Sequence, residues 1–318
     1  MFKNSNVLVT GGAGFVGVNL IARLVNLGAK VTATLHEKDV VLKDDRIHYV
    51  RCDLSILQDC QRVVQANDYV FMCAASTSGA AVMEKDPLDL FTPNLLMNAL
   101  MLKAAYEAKV KKFLFISSST VYPVTNNPVK EDDVNYEFFD KYYAEAWMKR
   151  FSEIMCEIYA TRIRKPMKIT VVRPANLYGE HDNFDQETSH VIPALIRKVV
   201  ERHKPIEVWG DGTDIKEFLY IQDFVDGILL AMEKLAWFEP INIAAGHPYT
   251  IREVLKTIIE VDGYQNAEIV YNTAKPTMIP KRMMDTAKAK AQIDFEAKTS
   301  LEDGIRRTIN WYRKQRNM

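Results

Sequence analysis

The sequence has no surplus of either charge: 41 Lys and Arg balance 41 Asp and Glu, giving a formal net charge of +0 at pH 7 with the histidines neutral. That balance excludes the global electrostatic attraction on which nonspecific binding of nucleic acid or of an anionic membrane depends. Long hydrophobic runs are missing as well, and no stretch reaches the roughly 20 apolar residues that a membrane-spanning helix needs. Cysteine is scarce. Cys52, Cys60, Cys73 and Cys156 have no metal-ligand spacing, so reduced, buried thiols are expected and a bound metal is not. No repeat, low-complexity tract or long linker interrupts the 318 residues. They are enough for one large α/β domain or two smaller ones with a sizeable core. A glycine-rich turn begins at residue 10, which leaves no space ahead of it for a signal peptide, and a cytoplasmic protein is expected.

What is present begins with that turn. Residues 10–17 read TGGAGFVG and follow the apolar run Asn6-Val7-Leu8-Val9. Glycines fall at 11, 14 and 17. Gly11 can make the tight turn, Gly14 lets the backbone approach a pyrophosphate, and Gly17 lets helix and strand pack closely. A helix predicted over residues 14–27 then points its first N–H groups, those of Phe15 and Val16 among them, at the phosphates. A second strand predicted at 30–35 completes the context such a turn requires.

Strand-like and helix-like segments alternate further on. Strands are predicted at 48–52, 68–73, 112–116 and 169–173, and helices at 93–108 and 142–162. Alternation with helical crossovers predicts a parallel, doubly wound sheet. After about residue 176 the rhythm loosens into helices at 191–202, 221–235, 251–261 and 301–313 and strands at 206–209, 241–243 and 268–271. The expected fold is α/β: a Rossmann-like doubly wound parallel sheet over residues 1–175, with a smaller substrate-binding lobe over 176–318 that is interleaved with the sheet and not independent.

Seven stretches carry a resemblance. They are residues 10–17, Cys52-Asp53-Leu54, Cys73-Ala74-Ala75, ISSSTVY at 116–122, RPANLYG at 173–179, GEHDNFDQETSHVIPALIRK at 179–198, and WGDGTDIKEFLYIQDFVD at 209–226. With them the chain resembles the extended short-chain dehydrogenase/reductases of the nucleotide-sugar epimerase/dehydratase family over essentially its whole length. The stretch 179–198 and Pro123 after Val121-Tyr122 are similar to the GDP-fucose synthase (GDP-4-keto-6-deoxy-mannose epimerase/reductase) branch.

The resemblance implies hydride exchange between a nicotinamide and a sugar carbon, with a tyrosine moving the hydroxyl proton and a serine orienting the oxygen. The serine falls on Ser118, at the end of a predicted strand, where ligand chemistry in open α/β sheets belongs. The tyrosine falls on Tyr143. The branch's general-acid histidine matches His190, and its cysteine base corresponds to Thr120. A hydroxyl is a far poorer base than a thiol, which favours redox at C4 over epimerisation at the flanking carbons. The family pattern is Tyr-x-x-x-Lys, one helical turn apart. Four residues after Tyr143 stands Trp147, and Lys149 lies six residues on, facing elsewhere from Tyr143. For a free tyrosine ionising near ~10, losing that lysine leaves only a weak means of working at neutral pH.

The same resemblance assigns the cofactor to Gly11, Gly14, Phe15, Val16, Gly17, His36, Asp53, Leu54, Ala74, Ala75, Tyr143 and Pro174. The position at the end of strand two that binds a ribose diol in NAD-specific enzymes holds Leu35, and His36 and Lys38 could face a 2′-phosphate. NADP is favoured modestly, with NAD possible and Glu37 ambiguous. Substrate contacts fall on Asn176, Arg197, Lys198, Trp209, Lys216 and Arg282, the cations matching a pyrophosphate. The residues therefore point to an NAD(P)-dependent enzyme of a nucleotide-diphosphate sugar, GDP-linked in preference, assembled as a homodimer through two apolar helices. A UDP-sugar 4-epimerase-like enzyme is the alternative within enzymes. Trp147 leaves a non-catalytic dinucleotide-binding sensor or scaffold as the alternative outside them.

Overall fold

The structure, a computed structural model, describes residues 1–76, 88–275 and 277–318, with Asp89 described for its backbone alone. The chain runs β1 (Asn6–Val9), α1 (Phe15–Asn26), β2 (Lys30–Leu35), β3 (Ile47–Arg51), α2 (Leu57–Val64), β4 (Tyr69–Met72), α3 (Leu88–Glu107), β5 (Lys112–Ile116), α4 (Tyr143–Glu157) and β6 (Ile169–Pro174). It continues with β7 (Asn176–Tyr178), α5 (Val191–Val200), β8 (Ile206–Trp209), β9 (Ile215–Tyr220), α6 (Ile221–Lys234), β10 (Glu239–Ile243), β11 (Pro248–Thr250), α7 (Ile251–Asp262), β12 (Ile269–Asn272), β13 (Lys281–Arg282), α8 (Ala287–Ile293) and α9 (Leu301–Arg316).

The main sheet has seven strands in the order β10-β6-β5-β4-β1-β2-β3, all paired in parallel. Its strands are continuous apolar runs, such as Val7-Leu8-Val9 and Phe113-Leu114-Phe115, buried on both faces. That pattern is what a parallel sheet covered by helices on either side requires. The strand order reverses between β1 and β4. At such a switch point the loops leaving adjacent strands part to opposite faces and open a crevice at the strands' carboxyl ends. The doubly wound parallel sheet expected from the sequence is thus observed. β10, from the chain's last third, adds to the edge of the main sheet beside β6. β9 pairs with β7, β11 and β13, and β8 with β12, in two small sheets.

Three local differences from the expected elements have physical causes. α3 starts at Leu88, ahead of Pro93, which sits inside the helix. The missing proline N–H reads in a sequence as a helix start. α4 ends at Glu157 and passes into a wide π turn over Ile158–Arg162. The sequence pattern does not mark β9 or the short α2: β9 lies directly behind a glycine-rich stretch that reads as a loop.

One buried network fastens α4 to the sheet. Arg173, at the end of β6, donates twice to Glu153 of α4, each at 2.8 Å. Glu153 also accepts from the Ser117 hydroxyl at 2.6 Å. Arg173 reaches the Tyr122 hydroxyl at 2.9 Å and the Glu131 carbonyl at 2.8 Å, and Tyr122 donates to Asn242 at 2.6 Å. Burial pushes the Glu153 carboxyl up, but the Arg173 guanidinium beside it outweighs burial and holds it below the usual carboxylate range. The network ties β5, α4, β6 and β10 together just beneath the loop that carries Ser118.

Candidate active site

The glycine turn lies at the switch point. Gly11 has φ +69°, and a Cβ there would stand 2.9 Å from the Ala74 Cα. A Cβ on Gly17 would stand 2.1 Å from the Gly11 carbonyl oxygen. Side chains at either position are therefore excluded by backbone. The turn is clamped from both sides: Gly11 N–H donates to Thr34 Oγ1 at 3.0 Å, and Thr10 Oγ1 accepts from the backbone N–H groups of Cys73 and Ala74 at 3.0 and 2.9 Å. This brings Ala74 and Ala75 beside the turn. Gly14 is the N-cap of α1 and no side chain caps the helix, so the first-turn N–H groups of Phe15, Val16 and Gly17 keep their capacity to bind an anion. A glycine cradle that a Cβ would fill, beneath an uncapped helix N-terminus, fits a dinucleotide pyrophosphate.

At the end of β2, Leu35 is buried and His36, Glu37 and Lys38 are exposed. The guanidinium of Arg51, at the end of β3, donates to the His36 carbonyl and, at 3.2 Å, to that of Glu37. It also pairs with Asp39 at 3.2 Å. Arg51 is a cation that sequence reading missed, because only strand pairing brings it to this loop. Asp53 accepts from the Ser55 N–H and hydroxyl at 2.8 and 2.7 Å, and these bonds hold its carboxyl below the usual range. Leu54 is buried in the core, so only its backbone is available to a cofactor. Pro174 closes β6 on the same edge of the sheet.

Ser118 follows β5 and caps a short 3-10 turn, accepting from Thr120 N–H at 3.2 Å. Thr120 is buried, and its hydroxyl has no partner among the described residues. The side chain set against Ser118 is Glu145, whose carboxyl faces the Ser118 hydroxyl and is favoured in its charged form by it. One helical turn on, Lys149 donates to the Ile116 carbonyl at 2.9 Å and lies over the Phe115 ring. The ammonium of Lys149 favours the charged form of Glu145, but burial outweighs it and raises the carboxyl. Burial likewise lowers Lys149. Tyr142, just before α4, is pushed upward by burial and faces Glu145, Arg282 and Asp214.

Tyr143, the expected proton shuttle, stands at the surface, 59% exposed. Its ring meets Trp147 edge-on. Trp147 belongs to an aromatic cluster with Tyr136 and Phe138, at 5.9 and 5.2 Å between ring centres. The two residues share a face of α4, but it is not the face turned to Ser118. The pair one turn apart beneath Ser118 is Glu145 and Lys149. The family spacing placed on Tyr143 thus selects a face of α4 that the structure turns outward.

His190 is the N-cap of α5 but makes no side-chain cap bond, so helix capping does not account for it. The surrounding protein lowers its pKa. On α5, Arg197 is buried with Nε unpartnered among the described residues, and Lys198 donates to the Glu207 carbonyl at 2.6 Å. On β9, Lys216 lies 3.7 Å from Asp214, and burial lowers its pKa. Asn176 donates to the Glu217 carbonyl at 2.9 Å. Trp209 is partly open, with Lys275 over its ring. Arg282 is buried and donates to the Pro123 and Tyr122 carbonyls at 2.9 and 3.1 Å; burial brings it down to about 10. Two of its nitrogens are thus spent on bracing the loop after Ser118. Among the described residues no cluster of His, Cys, Asp and Glu suits a metal, and no helix is long and apolar enough to cross a membrane.

Comparison with known proteins agrees with this fold. Residues 7–244 match the NAD dependent epimerase/dehydratase family. GDP-L-fucose synthase 1 of Arabidopsis thaliana is 30% identical over 322 residues, covering 98% of this chain and 94% of that protein. The structure of UDP-glucose 4-epimerase from Thermotoga maritima with UDP-glucose is similar at a TM-score of 0.88 and 26% identity, over 98% of this chain and 99% of that one. A GDP-6-OMe-4-keto-L-xylo-heptose reductase from C. jejuni is similar at a TM-score of 0.85 and 26% identity, over 99% of each chain. With the glycine cradle at the switch point and the match spanning both the sheet and the site, the chain belongs to the NAD dependent epimerase/dehydratase family.

Proposed function

We propose that the chain is a cytoplasmic NAD(P)-dependent epimerase/reductase that works at C4 of a nucleotide-linked sugar, a GDP-linked hexose or heptose. The observation that carries this reading is the meeting, on one edge of the parallel sheet, of the uncapped glycine cradle after β1 and the Ser118 loop after β5. A nicotinamide dinucleotide held in that cradle supplies or accepts a hydride. Ser118 orients the reacting sugar oxygen, and the His190 imidazole offers a second group able to exchange a proton. Arg197, Lys198 and Lys216 draw the doubly negative pyrophosphate into the smaller lobe, with Asn176 and Trp209 beside it. Thr120, a poor base where the branch has cysteine, favours C4 redox over epimerisation at the neighbouring carbons. The named activities of the Arabidopsis and C. jejuni proteins support the GDP link. The UDP-glucose in the Thermotoga structure supports a UDP-sugar as the second reading. Thermal unfolding with a panel of nucleoside diphosphates separates the two: GDP at 100 times its dissociation constant should add about 2.7 kcal/mol. Stabilisation by UDP and none by GDP would move the substrate to the second reading.

Cofactor choice follows from the end of β2. With Leu35 turned into the core and His36 and Lys38 exposed, NADP should bind at least as tightly as NAD. Replacing both His36 and Lys38 with alanine should weaken NADP about thirtyfold and leave NAD nearly unchanged, since each lost contact with a phosphate is worth roughly a kcal/mol. A strong NAD preference in the parent protein would contradict this and assign the ribose to Glu37.

The reading includes a homodimer. α3 and α4 pack side by side, yet Leu96, Phe151 and Ile158 remain 46%, 47% and 44% exposed. Two such pairs would form a four-helix bundle about a two-fold axis. Sedimentation should give a dimer at micromolar concentration, and the double variant Leu96→Glu, Phe151→Glu should give a folded monomer. A monomeric parent would rule the bundle out.

A further inference from the structure

We propose that Glu145 is the catalytic acid/base of this site: its carboxyl exchanges the proton with the sugar oxygen that Ser118 orients, in the place where the family pattern has a tyrosine. The inference rests on the redox reading above and specifies its proton carrier.

Three geometric observations support it. Glu145 and Lys149 stand one turn apart on α4 and present the same face, as the two members of the Tyr-x-x-x-Lys pattern do. The Ser118 hydroxyl faces the Glu145 carboxyl. Lys149 is fixed by the Ile116 carbonyl at the end of β5, in the strand that delivers Ser118. The two tyrosines nearby do not share this arrangement. Tyr143 turns outward onto Trp147. Tyr142 lies a turn earlier, between Glu145 and Arg282.

The step balances in the reducing direction. The C4–oxygen double bond opens; carbon takes a hydride from the reduced nicotinamide, which is oxidised, and oxygen takes the proton from the Glu145 carboxyl. Glu145 is left as a carboxylate facing the Lys149 ammonium and the Ser118 hydroxyl, and it recovers a proton from solvent in the cleft. In the oxidising direction the same atoms move in reverse, with the carboxylate as base.

The pH dependence differs from that of a phenol. The groups facing Glu145 are Lys149 and Tyr142 from the helix and its lead-in and Ser118 from the loop after β5. Arg282 of β13 and Asp214 before β9 lie behind Tyr142, and Glu153 lies behind Lys149. Burial raises the Glu145 carboxyl above its ordinary value of 4.5. Its protonated form donates, so reduction should slow as pH climbs through that raised value, and oxidation should quicken. A tyrosine donor would hold the reductive rate up to ~10.

The experiment uses the full-length protein, NADPH and a GDP-4-keto-6-deoxyhexose. Glu145→Gln should cut kcat by about a hundredfold to ten-thousandfold, abolish the falling pH limb, and leave NADPH affinity within about twofold. Glu145→Tyr rebuilds the Tyr-x-x-x-Lys spacing with Lys149 and should recover part of the rate, with its limb at higher pH than the parent's. Infrared titration of the NADP-loaded protein gives a readout independent of turnover: one protonated-carboxyl band with a raised pKa should vanish in Glu145→Gln. If Glu145→Gln keeps the parent's rate and pH limb, or if Tyr142→Phe or Tyr143→Phe removes that limb instead, the proposal is overturned. If the parent turns over no nucleotide sugar, the redox reading fails by itself. The infrared band then decides Glu145 separately: its absence from the parent overturns the proposal, and its presence supports a carboxyl poised to exchange a proton.

Discussion

Gly17→Ala should lose measurable dinucleotide binding and unfold more easily than the parent, whereas Gly14→Ala should unfold like the parent and bind more weakly. The two substitutions add the same methyl group to the same turn, so the contrast isolates what each glycine is for. At Gly17 the added Cβ would lie 2.1 Å from the Gly11 oxygen. Real atoms cannot approach so closely, and both the oxygen and Gly17 belong to backbone, so α1 must move off the turn. Overpacking of this kind costs about 1–3 kcal/mol, and the moved helix no longer aims its N–H groups at the phosphates. At Gly14 the added Cβ meets the Gly11 oxygen at 3.2 Å, which a small shift relieves. Its effect should therefore appear only when a pyrophosphate approaches. Fluorescence titration with NADPH and a urea melt of each variant check this. Equal binding by Gly17→Ala and the parent would contradict the role assigned to the turn.

The second large effect is expected at the Glu153–Arg173 pair, whose side chains are 0% and 1% exposed. Glu153→Met should destabilise the protein by about 3–5 kcal/mol, because it leaves a guanidinium buried without its counter-charge. The double variant Glu153→Met, Arg173→Met should lose less than the two single losses combined, since it removes the fully buried stranded charge and leaves only Arg150, 15% exposed, without its partner. Acid should act on the same pair. The carboxyl is held below its unfolded value, so the stability it contributes is present above the ordinary carboxylate range and disappears as pH falls through the lowered value. Urea melts at neutral and acid pH measure both effects. A loss below about 1 kcal/mol in Glu153→Met would show that the network does not hold α4 to the sheet.

The glycine spacing and the apolar strands were legible before any coordinates because they answer local demands. A turn beneath a pyrophosphate needs glycines at fixed offsets, and a strand covered on both faces needs consecutive apolar residues. The helix bearing the proton carrier was legible only in outline. Adjacent tyrosines at 142 and 143 draw the pattern to the phase of Tyr143, and a glutamate in a tyrosine's place carries no motif of its own. What identifies Glu145 is its contact with Ser118 across the sheet edge, a relation between residues 27 positions apart that no local spacing encodes. Arg51 and Arg282 show the same limit from the other side. Charge alone cannot separate a cation that meets a ligand from one tied to carbonyls of its own chain, as both of these are.

The central claim is that hydride moves between a nicotinamide and a nucleotide-linked sugar at this sheet edge. It is tested most directly by mixing the protein with NADPH and a GDP-4-keto-6-deoxyhexose and following the near-ultraviolet band of the reduced ring. The account predicts that the band decays with formation of a GDP-sugar bearing a C4 hydroxyl, and that 4-deuterated NADPH leaves its deuterium on C4. A band that stays constant with every GDP- and UDP-linked keto sugar, while NADPH binding remains intact, would contradict it.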